Sequence, residues 1–203
     1  MIDPTNQSIQ LADIRNLLRD STPVLVETTD RREAAVSLLL SEKFQETELL
    51  LIERAHRDGD PWSGQMAFPG GRRERQDETV LDTAIRETAE EIGVHLDVKN
   101  RISRIDDLVA PRLSHAHGLI ISCHVFEARR PIHFDFNEEV HDLVWVPIAY
   151  LLRPDSHTSD YRPPDYDGVF SGFRLSDEDN RIIWGLTYRI ICSFFRTLKL
   201  ADY

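Results

Sequence analysis

The chain has 203 residues, 41% of them hydrophobic and 29% charged, which suits one globular domain with short additions at its ends. Its formal net charge of −11 repels a polyanion and disfavours nucleic-acid polymers, while an anionic small molecule can still bind through a bridging cation. The longest apolar runs, such as Val36–Leu40, are too short to span a bilayer, and Cys123 and Cys192 read as reduced, buried residues of a cytoplasmic chain.

The N-terminal MIDPTNQSIQ lacks a basic stretch followed by an apolar core, so no secretory signal is expected. Residues 8–19 place Leu11, Ile14, Leu17 and Leu18 near helical spacing, and Pro23 interrupts. Residues 1–30 therefore read as a helical extension, with the main domain at 31–200. Ala34–Leu40 and Glu48–Glu53 read as neighbouring strands joined by the polar SEKFQET. Residues 56–65 carry loop chemistry. The short apolar run Met66–Phe68 closes on Pro69-Gly70-Gly71. A helix is predicted from about Glu78 to Ile92, with Asp77 or Thr79 as its cap and Gly93 at its end. Strands are predicted at 101–105, 118–127 and 143–146, and a short helix at Pro147–Leu152. Residues 153–180, rich in Pro, Asp, Ser and Gly, read as a long excursion. Ile182–Leu198 closes the chain as a helix. This order gives a mixed α/β (α+β) domain.

The chemistry concentrates in GGRRERQDETVLDTAIRETAEEIGV, residues 70–94. On a helix, Glu87, Glu90 and Glu91 stand at i, i+3 and i+4, on one face. Each like-charge pair costs a few tenths of a kcal/mol. Carboxylates in the last turn also oppose the helix dipole, by roughly 0.3–1 kcal/mol. Hard divalent cations would reverse that balance, and all-oxygen ligands suit Mg²⁺ or Mn²⁺ rather than Zn²⁺. Set against this, three glutamates can simply form a solvated acidic face. Arg86 beside the cluster and the glycines upstream, which let backbone approach a metal or phosphate closely, favour the functional reading.

Arg86-Glu87-Thr88-Ala89-Glu90-Glu91-Ile92-Gly93-Val94 resembles the second half of the Nudix box, GX5EX7REUXEEXGU, with only Thr88 departing from the aliphatic U. The box spans 71–94. Its first half is one residue longer, so either Asp77 or Glu78 fills the first acidic position. That extension, together with Arg54, Gly64, Phe68, Pro69, Gly70 and Gly71, is similar to the coenzyme A diphosphatase branch of the family. Glu139-Val140, Trp145-Val146-Pro147 and Ile183-Trp184-Gly185-Leu186-Thr187 extend the likeness.

The resemblance implies a mixed β-sheet sandwiched between helices. It also implies Mg²⁺- or Mn²⁺-dependent hydrolysis of a nucleoside diphosphate linked to another moiety. Coenzyme A or its derivatives are the first expectation. ADP-ribose, a dinucleotide or a nucleoside triphosphate is the second, and a catalytically silent nucleotide-binding module the third. Glu87, Glu90, Glu91 and the Gly71 carbonyl would hold metal. Glu87 would be the base, with its carboxylate held by Arg86. Glu139, with Glu138, would supply a distant ligand or base. Arg54, with Gly70 and Gly71, would face the substrate phosphates. A homodimer is common in the family.

Weaker features keep two readings. His115 and His117 are a zinc pair or an ordinary loop pair, Trp62 a stacking residue or a loop anchor, and Phe194-Phe195 core or dimer interface. Arg162–Tyr166 is a lid or a plain surface segment.

Overall fold

A computed structural model describes residues 9–27, 32–60, 62–110 and 118–203. His115 and His117 lie outside the described residues, as does the start of the N-terminal extension.

Helix α1 (Leu11–Arg19) buries Leu11, Ile14 and Leu18. Strands β1 (Arg32–Lys43) and β2 (Glu46–Arg54) form an antiparallel hairpin. The expected seven-residue polar connection shrinks to Phe44-Gln45, with φ of 51° and 66°. Positive φ at both turn residues matches the twist of paired strands. No Asn-Gly or Asp-Gly pair advertises the turn, so the polar strand ends look like loop in sequence.

Met66–Ala67 (β3) pairs with β2, and Gly70–Arg72 (β4) with β1. Helix α2 runs over Val80–Ile92. Strands β5 (Arg101–Ala110), β6 (Leu119–Glu127) and β7 (Val140–Pro147) follow, then helix α3 (Ile148–Leu151). Among the described residues, seven strands form one sheet in the order β3-β2-β1-β6-β5, with β4 also on β1 and β7 on β2. The β1–β6 pairing is parallel and the rest antiparallel, so the sheet is mixed.

The excursion at 153–180 needs correction. It contains β8 (His157–Tyr161) and β9 (Phe170–Arg174), which join β10 (Ile182–Trp184) in a second sheet. The final helix α4 begins at Gly185 and ends at Thr197, so Ile182–Trp184 is strand rather than helix. Short apolar runs do not separate strand from helix by period alone.

Alternation along β1 feeds two cores. Ala34, Leu38 and Leu40 pack with Ile14 and Leu18 of α1 and Ile190, Ile191, Phe194 and Phe195 of α4. Leu39 packs on the opposite side with Leu50, Ile52, Phe126 and Ile92 of α2. The sheet is thus sandwiched between α2 and the pair α1 and α4. Phe194 and Phe195 are fully buried, which selects core over dimer interface. No helix among the described residues is long and apolar enough to cross a membrane.

Candidate active site

Helix α2 starts where Thr79 accepts the Asp82 N–H and the Asp82 carboxylate accepts the Thr79 N–H at 2.7 Å, a reciprocal cap. Gly93 ends it at φ 72°. Asp77, the rival cap, turns inward. Its carboxylate accepts from Arg86 Nε at 3.0 Å and Nη2 at 2.9 Å, from the Glu74 N–H at 2.9 Å and from the Thr83 hydroxyl at 2.9 Å. Chiefly the Arg86 hydrogen bonds, against the cost of burial, hold the Asp77 carboxyl well below the usual carboxylate range. Glu78 is exposed and offers its carbonyl to Arg73. The first acidic residue to engage Arg86 is therefore Asp77.

Arg86 Nη1 also donates to Glu87 Oε1 and Glu90 Oε2, both at 2.9 Å, and Nη2 donates to the Arg72 carbonyl at 3.1 Å. One guanidinium thus ties the loop before α2 to two of the three glutamates. The third, Glu91, is 3% exposed and accepts the Gly70 N–H at 2.8 Å. Burial pushes the Glu91 carboxyl up to about 8, with Glu87 and Glu139 adding to the rise and Gly70 and Arg54 opposing it. Burial likewise raises Glu87, against the pull of Arg86.

Arg86 and the Gly70 amide relieve part of the repulsion among the glutamates, a relief expected from cations alone. Among the described residues, no three His, Cys, Asp or Glu side chains are arranged as a ready metal-holding group. The donor set still fits a hard cation. A Cβ on Gly71 would stand 2.5 Å from the Glu87 carboxylate, so only glycine lets that carboxylate lie against the strand backbone. Gly70 has φ 152°, and a Cβ there would meet the Ala35 carbonyl at 2.3 Å. The site is a shallow oxygen-lined cradle, open where Glu90 is exposed.

The charge of Arg54 opposes the burial-driven rise of Glu91. Arg54 Nη2 bonds Asp60 at 3.0 Å, while its buried Nε lacks a partner. Arg57 donates to Glu139 and Glu138, each at 3.2 Å. No local signal marks Arg57 for a role, because its link to Glu139, 82 residues on, exists only across the fold. The Glu139 carbonyl accepts the Ala55 N–H at 2.8 Å, which brings β7's start to the end of β2. Trp62 is partly exposed, and its N–H bonds Asp60. Tyr166 packs edge-on against Trp184, ring centroids 4.9 Å apart, and its hydroxyl accepts from Gln65. The 162–166 segment is thus pinned beside β3.

A family model described as NUDIX domain matches residues 30–165. The chain belongs to the NUDIX family. An uncharacterized Nudix hydrolase, NudL of Yersinia pestis (strain Pestoides F), is 29% identical to this Nudix chain over 185 residues, covering 90% of the chain and 86% of NudL. An uncharacterized protein of Schizosaccharomyces pombe is 30% identical over 164 residues, covering 70% of the chain. The chain spans about half of that yeast relative, 49% of its length. Among solved structures, a MutT/nudix family protein from Enterococcus faecalis superposes with TM-score 0.58 at 18% identity, covering 95% of this chain and 76% of that one; it shows the shared fold. Family membership and the Nudix hydrolase relatives support a hydrolase acting on pyrophosphate bonds.

Proposed function

We propose that the chain is a Mg²⁺- or Mn²⁺-dependent diphosphatase that cleaves a nucleoside diphosphate linked to another moiety, with coenzyme A or a derivative as its substrate. The observation that carries the reading is the convergence of the Glu87 carboxylate on Gly71 and of Glu91 on the Gly70 amide. A buried and a half-buried carboxylate held against a glycine backbone, beside an arginine, suit a cation-bridged diphosphate. The coenzyme A assignment rests on the similarity of Arg54 and Gly64–Gly71 to that branch of the family.

Glu87, Glu90, Glu91 and the Gly71 carbonyl would hold the cation, and when bound it would neutralise the diphosphate and acidify water. Water adds to one phosphorus, the P–O bond to the bridging oxygen breaks, and no covalent intermediate forms. Glu87 takes the water's proton, and Arg86 keeps its carboxylate aimed at the cradle. Arg54 draws the substrate in through charge-assisted hydrogen bonds. Glu139, held by Arg57, supplies a further acidic group at the rim.

Incubation with Mg²⁺ or Mn²⁺ and chromatographic separation of the cleavage products test this on coenzyme A, ADP-ribose, NADH and nucleoside triphosphates. Turnover is expected on coenzyme A, and Glu87→Gln should lower it by roughly 10²–10⁴-fold. Glu90→Gln and Glu91→Gln should abolish it in a folded chain. Product from ADP-ribose alone would move the substrate assignment. Full activity in both the Glu90 and Glu91 variants, or no product from any substrate, would overturn the reading.

A further inference from the structure

Thr88 stands where the Nudix pattern calls for an aliphatic residue, and the chain folds a second polar residue against it. Ser37, within the apolar AAVSLLL of β1, is fully buried, and so is Thr88. Thr88 Oγ1 lies 2.8 Å from Ser37 Oγ and 2.7 Å from the Ala84 carbonyl, which Ser37 Oγ also reaches at 3.1 Å, so two hydroxyl protons serve one triangle of contacts. The Ser37 peptide N–H donates to the Pro69 carbonyl at 2.8 Å. One strand residue therefore grips both halves of the site. Its side chain holds the helix bearing Glu87 and Glu91, and its backbone holds the segment bearing Gly70 and Gly71.

The two halves meet with little slack. Glu91 reaches the Gly70 amide at 2.8 Å, and the Glu87 carboxylate occupies the space a Cβ on Gly71 would need. Aliphatic packing is non-directional, so it leaves small slides and rotations of a helix weakly opposed. Hydrogen bonds fail steeply with distance and angle. Two polar side chains in a core otherwise made for apolar contact are thus suited to fixing register rather than to adding burial.

We propose that Ser37 and Thr88 are positioning residues. Their hydroxyl pair sets the height and rotation of α2 on β1, and thereby the fit of Glu87 and Glu91 to the Gly70-Gly71 backbone and the affinity for the divalent cation. The last clause rests on the metal-site reading above.

The double variant Ser37→Ala/Thr88→Val removes both hydroxyls and leaves similar shapes, a change that is near neutral for stability. Its unfolding midpoint should stay within roughly 3 °C of the native chain. Its Mn²⁺ affinity, measured by calorimetry with no nucleotide, should fall about tenfold or more, and the Gly70 amide should exchange faster with solvent. Thr88→Ser does the reverse. It keeps the hydroxyl and loses a buried methyl, so the midpoint drops while Mn²⁺ affinity and Gly70 protection hold. Should the double variant not fold, Thr88→Val alone is read by the same two measurements. Native Mn²⁺ affinity and native Gly70 protection in a variant lacking the hydroxyl pair would overturn the inference and leave the metal reading standing. No Mn²⁺ uptake by the native chain would overturn both.

Discussion

At Arg86 a single guanidinium meets the carboxylates of Asp77, Glu87 and Glu90. The Asp77 partnership is the buried one, with side chains 15% and 3% exposed. Asp77→Ala leaves Arg86 with Glu87 and Glu90 but unpairs the Glu74 N–H, so it should cost about 1–3 kcal/mol in urea unfolding. Two groups here give opposite pH slopes. Asp77 lies below its ordinary value of 3.8, so its contribution is present above that pH and is lost on acidification. Glu91 rises from 4.5 to about 8. The folded chain holds that proton longer than the unfolded one, so its contribution is present below 4.5 and fades as pH climbs toward 8. With chelator present, native stability should decline across that window, and Glu91→Gln should flatten the decline. An unaltered slope in Glu91→Gln would assign the effect elsewhere.

Secondary elements show where local chemistry suffices and where it stops. Helix α2 was legible because its apolar period, its Gly93 terminus and its cap candidates agree. Both Asp77 and Thr79 have cap chemistry, and the choice between them was made by Arg86, nearly two turns into the helix and beyond the reach of cap rules. Thr79→Ala should lower stability by about 1 kcal/mol, and an unchanged urea midpoint would refute the capping box. The Phe44-Gln45 turn was not legible, since left-handed φ at Phe is imposed by strand pairing and not by the residue's own preference. For β8 and β9 the turn-rich composition spoke for loop, and the pairing of β9 with both β8 and β10 supplied what composition lacked.

Across the whole molecule, Arg181 joins the small sheet to the large one. Its guanidinium meets Asp179, Glu53 of β2 and Asp142 of β7 at 2.6–2.8 Å. Arg181→Met should cost about 1–3 kcal/mol and speed proteolytic cleavage within 153–180, while Mn²⁺ affinity stays native. Equal cleavage rates would show that apolar packing alone seats the small sheet.

By itself, the amino-acid order determined the family-like box, the α2 carboxylate face and the alternating strands, because these depend on spacing along one element. Only the tertiary structure decided which acid serves Arg86, what relieves the glutamates, that Arg57 meets Glu139, and that Ser37 lies under Thr88. Those are relations between segments up to 82 residues apart, and a contact across such a distance exists only once the sheet has paired and α2 has docked.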